Sequence, residues 1–201
     1  MTGQSYINYH LAISREAFNR HAYKPLPEAF KAKQVKPDYD TFTILLEGVG
    51  GPWGWTQRPR YYDNRAFWER RLHHPETRLF LLTKRDQPLG YCLAGTLKED
   101  LSGIFAGAVT GQHVIEIENF GFFPQHTGKG YGQVFLPALL GTLLKDYDAV
   151  YLSSRSTNHA KVILFYEGLG MEVIHQETLP DDLRPAPSQR GHKPPCLALR
   201  C

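Results

Sequence analysis

Gly128, Gly130 and Gly132 recur at every second position in a stretch that runs straight into helix-forming sequence from Gln133 to Lys145. Glycine carries no Cβ, so such a loop lets backbone N–H groups come close to a ligand. A helix N-terminus adds partial positive charge at the same place. Lys129 and Tyr131 stand between the glycines. These residue types suit an anion, above all a phosphate. The two common phosphate patterns fail on spacing. In G-x-G-x-x-G the last glycine would fall on Gln133, and in G-x-x-x-x-G-K-[ST] Phe123 stands where the first glycine should be. A glycine turn that only joins a strand to a helix is the plain alternative.

The residues before the loop carry a second kind of chemistry. Val114, Ile115, Ile117, Phe120, Phe122 and Phe123 form a run of β-formers that ends at Pro124. Glu116 and Glu118 lie two apart in it, so their side chains share one sheet face. Carboxylates on a central strand are costly to bury unless they are partnered or used. A solvated strand rim is the competing reading.

Phe122, Pro124, Gly130 and Gly132 fall on the fixed positions of V-x-P-x-x-[QR]-x-x-G-x-[GA]. In this the stretch resembles the acyl-CoA-binding motif of the GNAT superfamily of N-acetyltransferases. Thr127 departs from it, standing where Gln or Arg is usual. A second segment, from Asn158 to Met171, is similar to the family's N-x-x-A-x-x-x-Y-x-x-x-G-F. Tyr166, Gly170 and Met171 match in spacing, while Asn158 comes one residue early.

The resemblance implies an α/β fold, with a mixed, mostly antiparallel sheet flanked by helices. It implies transfer of an acetyl group from acetyl-CoA to a primary amine of a small molecule or peptide. Pantetheine would enter beside the central strand along residues 120 to 123, Phe122 and Phe123 included. The pyrophosphate would rest on Thr127, Gly128, Lys129, Gly130, Tyr131 and Gly132, with Asn158 nearby. Glu116 takes the position of the general base in several members, with Glu118 as substitute. Tyr166 takes that of the acid for the leaving thiolate. Two other classes remain open: a non-catalytic acyl-CoA-binding regulator, and an enzyme of this fold acting on a protein N-terminus or an aminoacyl-tRNA.

Composition sets bounds. The chain has 201 residues, 42% hydrophobic and 21% charged, with a formal charge of +3. One core is expected, and no Lys/Arg-rich block supports a nucleic-acid partner. No apolar run reaches membrane-spanning length, and the N-terminus has no secretory pattern. Cys92, Cys196 and Cys201 lack C-x-x-C spacing, which reads as a reducing, cytoplasmic setting without zinc. His73 and His74 have no partner motif, so no metal is expected. A homodimer is compatible with these bounds.

Several elements must position these residues. Residues 1–40 read as an extension packed on a domain of residues 41–201. In the extension Ile7, Tyr9, Leu11 and Ile13 alternate as in a strand, and Ser14 suits a helix N-cap. Thr41 to Leu46 reads as a strand, running into a glycine-rich turn from Glu47 to Trp55. Asp63 or Asn64 would cap a helix with Ala66, Phe67, Trp68 and Leu72. Arg78–Thr83 and Leu89–Leu97 read as paired strands, and Leu101 to Gln112 as a connection. A helix from Gln133 carries a wide apolar stripe interrupted by Pro137, so it should kink there or start later. Ala149–Leu152, His159–Leu169 and Met171–Leu179 read as strand, helix and strand, with Gly170 as the helix stop. The Pro-rich tail reads as loop. Trp53, Trp55, Tyr61, Tyr62 and Trp68 form an aromatic cluster, by default core, and by the resemblance a candidate pocket wall.

Overall fold

A computed structural model describes residues 5–53, 65–96, 113–156 and 161–180. Asn158, Trp55, Tyr61, Tyr62, the caps at Asp63 and Asn64, the connection at residues 101–112 and the tail from 181 lie outside them. In chain order the elements are β1 (Ser5–Ser14), α1 (Arg15–Asn19), β2 (Phe30–Val35), α2 (Tyr39–Gly50), α3 (Arg65–His73), β3 (Arg78–Lys84) and β4 (Gln87–Thr96). There follow β5 (Val114–Phe122), α4 (Tyr131–Leu143), β6 (Ala149–Arg155), α5 (Lys161–Glu167) and β7 (Glu172–Pro180). The seven strands form one sheet in the order β2-β3-β4-β5-β6-β1-β7. Every neighbouring pair is antiparallel except β5 and β6. This is the mixed, mostly antiparallel α/β arrangement expected. The first forty residues supply two of its strands, and β1 lies inside the sheet between β6 and β7.

The stretch read as a strand from Thr41 to Leu46 is helical. Asp38 caps α2 by accepting from the Thr41 N–H at 2.8 Å. Phe42, Leu45, Leu46 and Val49 are buried at helical spacing, which outweighs the β-propensity of Thr41, Thr43 and Ile44. Glu47 to Gly50, read as the start of a turn, is the last turn of the same helix. Of the two Pro137 alternatives, the later start is not taken. α4 starts earlier than expected, at Tyr131, and runs through the buried Pro137. The helix gives up one backbone bond there, while Phe135, Leu136, Leu139, Leu140 and Leu143 bury against the sheet. Each such side chain contributes ~1.5–3 kcal/mol, enough to hold the helix across the proline. Ser14 caps α1 as expected, accepting from Ala17 N–H at 3.0 Å. Gly170 takes φ +77 after α5, the left-handed stop the sequence indicated.

Two apolar clusters cover the two faces. One joins Leu11, Ile13, Cys92, Ile115, Ile117, Val150 and Leu152 to α4. The other joins Leu79, Tyr91, Leu93 and Phe123 to α2 and α3, with Trp68 packed on Phe42 at 4.7 Å between ring centroids. Of the aromatic cluster, Trp68 is therefore core.

Candidate active site

β5 is held differently on its two edges. Its β4 edge is paired from Thr96↔Ile115 to Gly90↔Phe122. Its β6 edge is paired only at Val114↔Ala149, Ile115↔Val150 and Glu116↔Tyr151. Beyond that rung β5 continues to Phe122 and β6 to Arg155, with no pairing between them. The strands open into a gap, and the β6-facing backbone groups of residues 117–122 gain no ladder partner. Unpaired backbone donors and acceptors are costly when buried, so such a gap suits an extended, amide-bearing ligand.

A bulge sits where the gap begins. The β4–β5 register passes from Leu93↔Asn119 to Ala94↔Ile117, so Glu118 is the extra residue. Arg71 of α3 holds it. The Arg71 Nε donates to Glu118 Oε1 at 2.8 Å, and the guanidinium also donates to the Thr96 Oγ1 at 2.6 Å and to the Thr96 carbonyl. Both partners are nearly buried, with the Glu118 side chain 3% exposed. The Glu118 carboxylate is thus committed to fixing the bulge. Sequence reading missed this clamp, because Arg71 and Glu118 lie 47 residues apart and no motif joins them.

Glu116 stands on the last paired rung, opposite Gly95 on β4 and Tyr151 on β6. Ile115 and Ile117 point into the α4-side cluster, so Glu116 faces the α2–α3 side, as Glu118 does. Glu116 is 3% exposed. The strand thus brings the two carboxylates to one face, as their spacing required.

At the far end of β5 a short 3₁₀ turn, Pro124–His126, leads into the glycine loop. Gly128 and Gly130 take φ +75 and +76, and a Cβ at either would meet nothing within 4 Å. Both therefore border open space in a conformation that side chains other than glycine's resist. Thr127, Gly128, Lys129 and Gly130 are exposed. Among the described residues, the N–H groups of Gly128, Lys129, Gly130, Tyr131 and Gly132 donate to no backbone carbonyl. With α4 starting at Tyr131, five free donors and a helix N-terminus converge on one exposed loop. Gly132 has an added duty. A Cβ there would meet the Phe165 ring at 3.1 Å, so this glycine lets α4 and α5 approach. His126, which sequence reading passed over, lies beside the loop. Burial, then the charge of Lys129, lowers the pKa of its imidazole, and its Nδ1 is buried without a hydrogen-bond partner.

Tyr166 lies on the other face of the sheet from Glu116. α5 packs it on the α4-side cluster. Burial, then the Cys92 thiol, pushes its phenol up to about 12. Cys92 is the register partner of Phe120 on β5. Burial, then Glu118, pushes the Cys92 thiol itself up, leaving it protonated and inert. Phe122 is half-buried beside Tyr131, with ring centroids 6.0 Å apart, and Phe123 is buried in the α2–α3 cluster. The gap thus runs from Glu116, on the last paired rung, to the glycine loop beyond Phe122, with Tyr166 packed on the α4-side cluster. Among the described residues there is no group of side chains that could hold a metal, and no helix long and apolar enough to cross a membrane.

A sequence model of the Acetyltransferase (GNAT) family matches residues 38–171. Comparison with curated proteins found no match. Solved structures share the fold at low identity. A functionally unknown conserved protein from Staphylococcus epidermidis aligns with a TM-score of 0.57 at 14% identity, over 88% of this chain and 61% of its own. A GCN5-related N-acetyltransferase from Kribbella flavida gives 0.53 at 14%, over 88% and 58%. Another from Sphaerobacter thermophilus gives 0.51 at 19%, over 90% and 52%. The chain therefore spans between about half and three fifths of the length of these structures.

Proposed function

This chain belongs to the GNAT acetyltransferase family, and we propose that it moves an acetyl group from acetyl-CoA to a primary amine of a small molecule or peptide. The observation that carries this reading is the one-sided opening of β5 toward a loop of free N–H donors at the start of α4. A phosphate-bearing, amide-bearing ligand matches both halves of that arrangement. The pyrophosphate of CoA takes the loop, and pantetheine takes the β6-facing edge of residues 117–122.

The chemistry has two proton tasks. An alkylammonium of pKa ~10.4 must lose a proton before its nitrogen can attack the thioester carbonyl. Glu116, on the last paired rung, accepts that proton. The nitrogen–carbon bond forms, the carbon–sulfur bond breaks, and CoA leaves as a thiolate. A thiol has pKa ~8.5, whereas the Tyr166 phenol, at about 12, is protonated throughout the neutral range. Tyr166 therefore donates a hydrogen bond to the departing sulfur; the second proton of the attacking nitrogen, shed as the amide forms, replaces the one the phenol gives, so CoA ends as the thiol and the phenol is restored. Glu118 is held by Arg71 and acts by fixing the bulge.

The test is an acetyl-CoA-dependent thiol-release screen across amino acids, polyamines, aminoglycosides and peptides. The expected result is release with at least one amine class, lost in Glu116→Gln at pH values below that amine's pKa. CoA binding without release across the panel would leave a binder in place of an enzyme. Activity that falls steeply with salt would point to a polyanionic acceptor such as tRNA.

A further inference from the structure

The bulge at Glu118 decides which side chains the open part of β5 presents. Asn119 is the first residue beyond it. Asn119 stands opposite Leu93, which is buried in the α2–α3 cluster, whereas Phe120 and Phe122 pack on the α4-side cluster. Residues opposite one another in an antiparallel pair share a face. The Asn119 side chain therefore lies on the α2–α3 side, the side of Glu116 and Glu118. Pairing with β6 ends at Glu116, so Asn119 belongs to the open segment.

Glu118 is held by Arg71. Asn119 is not held in this way. The residue is half-buried, and its Oδ1 is buried with no hydrogen-bond donor among the described residues. A buried amide oxygen without a donor costs stability, so folding alone gives no reason for an amide at this place. A leucine of similar shape would fill it without that cost. The amide is explained by a donor that the ligand brings. On this face Glu116 takes the proton of the acceptor, so the acceptor nitrogen approaches here. An alkylammonium carries three N–H donors and keeps two of them after Glu116 has taken one.

Resting on the assignment of Glu116 as base, we infer that Asn119 binds the acceptor amine and selects for a primary one. Its Oδ1 accepts a hydrogen bond from one N–H of the reacting nitrogen, which turns the nitrogen lone pair toward the thioester carbonyl. Of the two N–H bonds left on the neutral primary amine, one is shed as the amide forms. The other stays on Asn119 and remains in the product amide. A secondary amine has a single N–H after deprotonation and must shed it, so it cannot keep the contact through the reaction.

The experiment measures kcat/KM for the wild type, Asn119→Leu, Asn119→Ala and Glu116→Gln. The acceptors are the most active primary alkylamine of the thiol-release screen and its N-methyl derivative. CoA calorimetry and thermal unfolding run beside it. Both Asn119 variants should lose about ten-fold with the primary amine, equally at every pH, because ammonium and neutral amine both carry the held N–H. The wild-type preference for the primary amine over its N-methyl derivative should narrow by a similar factor. CoA affinity should stay within about two-fold. Asn119→Leu should melt no lower than the wild type, since the orphaned oxygen is gone. Asn119→Ala makes the same test with a side chain that needs no extra room. Full kcat/KM in a folded Asn119 variant, an unchanged amine preference, or a matching loss of CoA affinity would overturn the inference and leave Glu116 as base. A Tm that falls with the activity in both variants would overturn it too, as a packing role. An unimpaired Glu116→Gln would overturn the base assignment and the inference with it. A wild type that binds CoA yet releases no thiol with any amine would overturn the transfer reading itself.

Discussion

The two edges of β5 are built from one run of residues yet treated in opposite ways. Against β4 the strand is closed along its length, even across the Glu118 bulge. Against β6 it is closed for three rungs and then open. A sheet gains nothing from an open internal edge, and on the proposed reading the difference marks where stability yields to binding. The closed edge should respond to substitution as a fold does, and the open edge as a ligand site does.

The largest effect is expected on the closed edge. A Cβ at Gly90 would run into the Gly121 carbonyl and lie 2.7 Å from the Phe122 Cα. Gly90→Val should cost ~3 kcal/mol or more and leave little folded protein, as read by thermal unfolding. A folded variant of near-normal Tm would mean that this edge is less tightly closed than described.

On the open side Gly130→Val should do the reverse. Space around a Cβ there is free, so the fold survives the strain of a β-branched residue at φ +76. CoA affinity should fall by about 100-fold, near 2.8 kcal/mol, because the side chain enters the volume in front of the free N–H groups. Calorimetry measures the affinity and a melting curve checks the fold.

The two groups proposed as base and acid should part by pH. Tyr166→Phe should lower kcat by at least ten-fold with CoA affinity kept. Because the phenol stands at about 12, that loss should be flat from pH ~6 to ~10. The loss in Glu116→Gln should instead fade at high pH. A milder loss in Tyr166→Phe with donors whose leaving thiol is more acidic than CoA would confirm proton donation.

The opening beside β5 entered only as what the family resemblance implied, whereas the glycine loop and the shared face of the two glutamates were legible because their chemistry is local. Gly128 and Gly130 need their positive φ within a few residues of the helix they start, and Glu116 and Glu118 share a face by strand alternation. The α2 helix was misread because Thr41, Thr43 and Ile44 favour strands on their own. Its burial pattern at Phe42, Leu45 and Val49 becomes decisive only against Trp68 and Tyr91. The Arg71 clamp and the contacts of His10 with Tyr151 at 2.8 Å and Glu177 at 2.9 Å were invisible because the partners come from distant segments. In β1 the alternation of Ile7, Tyr9, Leu11 and Ile13 marked a strand and nothing more. The insertion of β1 between β6 and β7 is what buries His10.

The smallest effect belongs to that far wing. The hydrogen bond from Asn8, then that from His10, depresses the pKa of the Glu177 carboxyl below its ordinary 4.5. A depressed carboxyl contributes stability above the unfolded-state pKa and loses it as pH falls through the folded-state value. Wild type and Glu177→Gln should therefore differ modestly in Tm at neutral pH. The difference should vanish on acidification below ~4.5 and remain unchanged between pH ~6 and ~8.

Hydrogen exchange on the folded protein, with and without CoA, compares the two edges of β5 directly. The expected result is slower exchange on adding CoA at amides of residues 117–122 and 128–132, with the β4 partners from Gly90 to Ala94 unchanged. Bound CoA that leaves both segments exchanging as before, or that protects a different surface, would contradict the assignment of the open edge as the CoA site.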